Sequence, residues 1–467
     1  MLFSSISFLY YFLPVTIIIY FLTKDKYKNL VLLLASLFFY FYGEPVYCLL
    51  MIFSAFSGYI HGLLIEKSRD TVYCRYFLIS SIIVSMGILA FFKYSNFFIS
   101  NFNIVFSLNI KLLNIVLPIG ISFYTFQILS YVIDVYKGKA KTCKSFISFA
   151  TYVTLFPQLI AGPIVRYTTI QEELDNRVHS FDNFAYGVTR FIMGLSKKVL
   201  IANNLGGLLQ VFNNTNEKSV LIYWASAIAF TLQIYYDFSG YSDMAIGLGR
   251  IFGFNFLENF NYPFISKSIS EFWRRWHISL GSFFRDYLYI PLGGNKVSRF
   301  GWIINMFIVW FFTGMWHGAS WNFIIWGLYF AVLIVAEKVF LSKLLNKLPS
   351  FIQNIYTMFL VLISFVIFNS NNMTETYTSL SSMFGMMNLP FSNELTTYYL
   401  SSYFIILIIS IIGSTPILKH MINKIKSKAT GEQLLNIIEP VINILLLILV
   451  TSYLIEGSFN PFLYFRF

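Results

Sequence analysis

Apolar runs of helical length, separated by short polar turns, recur along the whole chain. About 20 apolar residues in helix cross a hydrocarbon core of about 30 Å. Runs of that kind lie near residues 6 to 22, 29 to 43, 46 to 65, 76 to 92, 113 to 135, 145 to 162, 184 to 203, 219 to 236, 301 to 314, 321 to 340, 352 to 369, 402 to 418 and 436 to 455. The pattern predicts an all-α integral membrane protein with about 11–13 spans. The runs at 29 to 43, 145 to 162 and 301 to 314 are short or carry polar residues, which suits tilted, re-entrant or sheltered segments. Residues 370 to 400, rich in Asn, Thr and Ser around Pro390, read as a loop outside the membrane.

Composition supports this reading. Hydrophobic residues make up 57% of the 467 and charged residues 12%, against roughly 25% charged in soluble chains. That is too little polar surface for a water-soluble body of this size. The net charge of +12 would raise nucleic acid binding in a soluble protein. In a membrane protein it follows from basic cytoplasmic loops, so no nucleic acid partner is expected. Lys24, Lys26 and Lys28 follow the first run, Lys67, Arg69 and Arg75 the third, and Lys137, Lys139, Lys141 and Lys144 the fifth, while the turn Gly43-Glu44-Pro45 has no basic residue. The positive-inside rule then places the N-terminus outside. The opening Met1-Leu2-Phe3-Ser4 has no basic n-region and no cleavage site, so a retained first helix is expected. Cys48, Cys74 and Cys143 lie far apart and predict neither a disulfide framework nor a thiolate metal site.

Charge gathers between about 235 and 320, in Asp237, Asp243, Glu258, Glu271, Arg274, Arg275, His277, Arg285, Asp286 and His317, interleaved with tryptophans from Trp273 to Trp321. His317, in Gly314-Met315-Trp316-His317-Gly318, has no charged neighbour in sequence. An ionisable residue at membrane depth normally faces a cavity or bundle interior, and imidazole is the usual general base. The bland alternative is a neutral ring bonded to a carbonyl. Around His277, helical spacing pairs Glu271 with Arg275 and aligns Trp273, Trp276 and Leu280 in one stripe, which predicts an amphipathic interfacial helix. His277 is then equally a belt residue or a functional one. Asp237 and Asp243 flank Gly240, where the helix is free to break; they cap backbone groups or line an acceptor path, and capping is preferred. Pro and Gly in segments 117 to 127 and 156 to 163 suggest bent helices around a hollow. No G-x-S-x-G elbow, phosphate loop, H-E-x-x-H site or His-x4-Asp pair occurs. Residue chemistry alone reaches an intramembrane base without energy coupling, and no substrate.

Segments 117 to 127, 156 to 163, Tyr236-Asp237-Phe238-Ser239-Gly240-Tyr241-Ser242-Asp243-Met244-Ala245-Ile246-Gly247, Tyr262-Pro263-Phe264-Ile265-Ser266, 271 to 294 and 315 to 326 occur in an order that resembles the membrane-bound O-acyltransferase (MBOAT) family, in particular its bacterial alginate O-acetylation branch. The opening Leu2-Phe3-Ser4-Ser5 fits as well. The resemblance implies one MBOAT-type domain over 1–467, with N-terminal helices (1–112), a catalytic core (113–340) and C-terminal helices (341–467) forming a ring of tilted helices around a funnel. It implies acetyl-CoA as the cytoplasmic donor, with no bound cofactor or metal. His317 would be the general base and His277 a second catalytic-site histidine that orients the donor or shapes the tunnel. Arg274, Arg275 and Arg285 are candidates for the donor phosphates, unless they only snorkel. Asp237, Asp243 and Trp316 complete the candidate substrate-binding set.

The implied setting is a bacterial inner (cytoplasmic) membrane. An extracytoplasmic SGNH-hydrolase-like acetyltransferase is the expected partner, and a cell-surface polysaccharide or peptidoglycan the final acceptor. The segments Gly120-Ile121-Ser122-Phe123-Tyr124-Thr125-Phe126-Gln127 and Leu292-Gly293-Gly294-Asn295 are closer to the acetyl group of relatives than to the D-alanyl group. Phe330 follows Tyr329 where alginate-branch relatives often have His. The alternatives are D-alanyl transfer to teichoic acid on the same fold, a polysaccharide exporter or flippase, and a scaffold without catalysis.

Overall fold

Apolar length decides which helices cross. Among residues 1–159 and 162–457, which the computed structural model describes, all regular structure is helical and no strand forms. Ile160 and Ala161, part of the predicted run at 145 to 162 and of the 156 to 163 segment, lie outside the described residues. Among the described residues, six helices are long and apolar enough to cross a membrane: Pro45–Lys67, Tyr73–Phe106, Arg299–His317, Trp321–Leu345, Ser350–Asn369 and Ala429–Ile455. Glu394–Ser402 and Phe404–Gly413, bent by 56°, make a seventh if they act as one span. The protein is therefore a multi-pass membrane protein.

The other runs fold into helices that are shorter or more polar. Lys28–Phe41 has 14 residues and Phe146–Thr154 has 9. The run at 113 to 135 is split because Pro118 supplies no N–H and Gly120 takes a left-handed φ of 75°, so helix begins only at Ile121. Val220–Ile251 is long, with 32 residues, but buries Gln233, Asp237, Ser239, Ser242 and Asp243.

Three local expectations are corrected. The 370 to 400 segment is not simply a loop: Met373–Met383 and Glu394–Ser402 are helices, started by Asn372 and Asn393, whose side chains accept from Glu375 N–H and Thr396 N–H at 2.9 Å. The Asn residues that suggested a loop are N-caps. Gly240 does not break its helix; a Cβ there would lie 2.7 Å from the Gly194 carbonyl oxygen, so the glycine serves close packing. The predicted interfacial helix around His277 is two short helices, Ile269–Arg275 and Ile278–Phe284, separated at Trp276-His277. Its aromatic stripe faces the core, with Trp276 and Leu280 buried.

The chain forms two compact units, Met1–Phe191 with Ser242–Leu257, and Ile192–Tyr241 with Glu258–Phe467. The first is packed around Phe3, Phe8, Phe12, Phe39 and Phe156, all buried. At one place in it Tyr20 donates to the Phe252 carbonyl at 2.9 Å and accepts from Arg177 Nη1 at 3.0 Å.

The second unit is organised by a helix hairpin. Arg299–His317 and Trp321–Ala336 approach at backbone distance, since a Cβ on Gly327 would stand 2.2 Å from the Trp310 carbonyl oxygen and one on Gly314 2.3 Å from that of Phe323. Small residues allow such contact between membrane helices. Gly327→Ala is expected to force the hairpin apart, at a cost of about 1–3 kcal/mol or more from overpacking. Thermal unfolding in detergent should show a lowered midpoint for it, and little change for Gly87→Ala, where a Cβ meets nothing within 4 Å.

Candidate active site

His317 is the last residue of Arg299–His317, and the chain continues through an extended Gly318. A Cβ on Gly318 would sit 2.3 Å from the Phe323 ring, so a larger residue there would have to displace that ring. The His317 ring is buried among aromatics, with centroids 4.9 Å from Trp326, 5.0 Å from Trp316 and 5.3 Å from Phe368.

His277 joins the two short helices in a left-handed conformation, φ 46° and ψ 53°. For a residue with a Cβ that is strained by roughly 1–3 kcal/mol and needs firm surroundings. Asn259 provides them. Its carbonyl accepts from Ile278 N–H at 3.0 Å, and its Oδ1 accepts from Ser279 N–H at 3.1 Å and the Ser279 hydroxyl at 2.9 Å. The same Oδ1 is 3.3 Å from His277 Nδ1. A backbone N–H can only donate, so this atom is an acceptor; Nδ1 therefore carries the proton and Nε2 is left basic. Burial, then the neighbouring His317, hold the His277 imidazole well below its ordinary value, so it is neutral at physiological pH. Phe238 packs edge-on against it at 4.6 Å.

Both histidines line one narrow cavity of about 20 Å³, walled by Ile234, Phe238, Trp276, Trp326, Phe365 and Phe368. That holds about one water. A second cavity, of about 480 Å³, is lined by Trp273, Arg274, Arg285, Trp310 and Lys338 among others. Trp273 contacts Trp310 at 4.7 Å and Trp326 at 5.6 Å, so indoles stand between the cationic cavity and the histidines.

The predicted site residues fall into separate groups. His317, His277 and Trp316 come together, with Trp316 5.8 Å from His277. Arg274 and Arg285 line the larger cavity, where Arg285 also donates to Asp286 at 2.7 Å. Arg275 instead pairs with Glu271 at 2.9 Å and donates to the Asn261 carbonyl at 3.0 Å. Asp237 is paired with the buried Lys198 at 2.5 Å, and Asp243, in the first unit, with Arg190 at 2.5 Å.

Sequence reading missed Lys338, Glu337 and Asn259. Lys338 lines the cationic cavity. Glu337 lies in a π-turn, Glu337–Leu341, and caps Ile269–Arg275 by accepting from Ile269 N–H at 2.7 Å and Ser270 N–H at 3.1 Å. It thereby holds the helix that carries Trp273 and Arg274. A signal for both was present, because charge inside an apolar run is costly and marks function or pairing.

A family model for the membrane-bound O-acyltransferases matches residues 46–377. The chain belongs to this family. It is accordingly an O-acyltransferase. The probable alginate O-acetylase AlgI of Pseudomonas aeruginosa is 42% identical over 390 residues, covering 82% of this chain and 75% of the relative. The peptidoglycan O-acetyltransferase of Helicobacter pylori is 34% identical over 422 residues, 83% and 80% of the two chains. The teichoic acid D-alanyltransferase of Bacillus subtilis is 30% identical over 255 residues, 51% of this chain and 63% of the relative. The first two of these relatives support membrane O-acetylation as the activity of this MBOAT chain.

Asn259→Ala would orphan the Ser279 donors and free the His277 ring, at about 1–3 kcal/mol for each buried unsatisfied donor. A lower unfolding midpoint and a large loss of acyl transfer are expected, read by thermal denaturation and an ester assay on the same preparation.

Proposed function

We propose that this protein takes acetyl from cytoplasmic acetyl-CoA, across a bacterial inner membrane, for O-acetylation of an extracytoplasmic polysaccharide or peptidoglycan. A separate SGNH-hydrolase-like transferase collects the group. The observation that carries this reading is the pair of histidines in a small cavity walled by apolar rings, with a cationic cavity on the other side of the Trp273–Trp326 contact. The D-alanyltransferase match extends over 51% of this chain, against 82% for the alginate O-acetylase.

In this mechanism His317 removes the proton of an acceptor hydroxyl as its oxygen attacks the thioester carbonyl. The C–S bond then breaks, and the same imidazolium returns the proton to the thiolate. His277, with Nδ1–H held toward Asn259, presents a basic Nε2 that orients the reacting groups. Arg274 and Lys338 receive the donor phosphates, with Arg285 beside them.

The first test is mild-base release of esters from surface polymers of a deletion strain carrying parent or His317→Ala at equal membrane level. Loss of acetyl ester with polymer retained is expected. Loss of a D-alanyl ester would replace the substrate, and unchanged esters would replace catalysis with export or scaffolding. In membrane vesicles, Arg274→Ala and Lys338→Ala should each raise the KM for acetyl-CoA roughly tenfold, the size of one charge-assisted hydrogen bond. An unchanged dependence on acetyl-CoA concentration would remove that assignment.

A further inference from the structure

Two indole N–H groups near the histidines, Trp326 Nε1 and Trp273 Nε1, are buried without a hydrogen-bond acceptor among the described residues. A buried indole normally finds a partner, and an unmet donor costs about 1–3 kcal/mol. Phenylalanine would fill much of the same space at no such cost. Trp326 is 2% exposed and lines the histidine cavity itself. Its ring meets His317 nearly edge-on, at 4.9 Å and 83°, and is fixed from behind by Trp273, Phe330 and Phe368 at 5.6, 5.2 and 5.1 Å.

The chemistry of acyl transfer supplies the acceptor. When a hydroxyl oxygen adds to the thioester carbon, the C=O electron pair moves onto the carbonyl oxygen, and that charge must be held away from water. Among the described residues no Lys or Arg lines this cavity. Of the two imidazoles, His277 is engaged through Nδ1 with Asn259, and His317 carries the proton in transit. In such a low-dielectric place a fixed neutral donor is effective, because it needs no reorganisation as charge develops.

The geometry points to Trp326 as a further catalytic residue, its indole N–H donating to the acyl oxygen in the tetrahedral state; this rests on the acyl-transfer reading above. The C–O bond forms as the pair moves to oxygen beside Nε1. The pair returns as the C–S bond breaks, and the proton taken by His317 leaves with the thiolate. The N–H gives up no proton and closes the balance unchanged.

The test replaces Trp326 by 3-benzothienylalanine, in which sulfur stands for N–H at almost constant shape, in the full-length protein. Trp326→Phe is compared alongside. Release of CoA thiol from acetyl-CoA is followed in vesicles prepared from a deletion strain that retains the acceptor system, with the unfolding midpoint measured on each protein. Removing one oxyanion donor lowers turnover by roughly 100-fold or more. That loss, with the KM for acetyl-CoA and the midpoint of the benzothienyl protein unchanged, is expected. Parental turnover in the benzothienyl protein overturns the proposal. His317→Ala separates the two levels: if it is inactive while the benzothienyl protein is fully active, only the indole role fails, and if it retains parental turnover, the acyl-transfer reading fails with it.

Discussion

The second unit depends on the backbone contact between Arg299–His317 and Trp321–Ala336. Gly314 and Gly327 remove the side chains that would keep these helices apart, and a Cβ at either position would collide with a carbonyl oxygen. Because the helices touch, the end of the first meets the opening turns of the second, and His317 arrives against Trp326 at 4.9 Å. Trp310 and Phe330, also on this hairpin, then carry Trp273, which links it to the short helix of the cationic cavity. The placing of His317 against Trp326 is a product of close packing in the hairpin rather than of a flexible loop.

Around that hairpin, several buried polar groups do find partners. Glu337 takes up the first N–H groups of Ile269–Arg275, Asn259 gathers the donors at the start of Ile278–Phe284, and Lys198 meets Asp237. Two of the charged members, Lys198 and Glu337, lie in π-helical turns. The extra residue in such a turn rotates the next stretch of helix about its axis, and π-turns recur at functional sites for that reason. Here each such turn carries one charged side chain that is buried, Lys198 in one and Glu337 in the other.

The long spans were legible because a run of about 20 apolar residues has few other places to go. The shorter runs were not, since burial behind neighbouring helices satisfies the same apolar side chains as lipid does. The stripe of Trp273, Trp276 and Leu280 shows the limit: aromatic and arginine spacing is the same whether the face meets headgroups or a protein core. Whereas His277, two residues from Arg275, read equally as a belt residue, His317 stood out as an ionisable residue among apolar ones. Asn259 did not, because its bond to His277 spans 18 residues and depends on a left-handed turn that a histidine does not advertise. Lys338 and Glu337 lay in the tail of the apolar run at 321 to 340, where their charge was a signal that hydrophobic length alone passes over.

The backbone at His277 bears on how far this position can drift. Glycine would hold the left-handed turn between the two short helices with less strain than histidine does. It would also empty the space that the ring fills against Phe238 and leave Asn259 Oδ1 with one donor fewer. Relief of the backbone and loss of packing therefore oppose each other here, and neither alone decides which residue folds best.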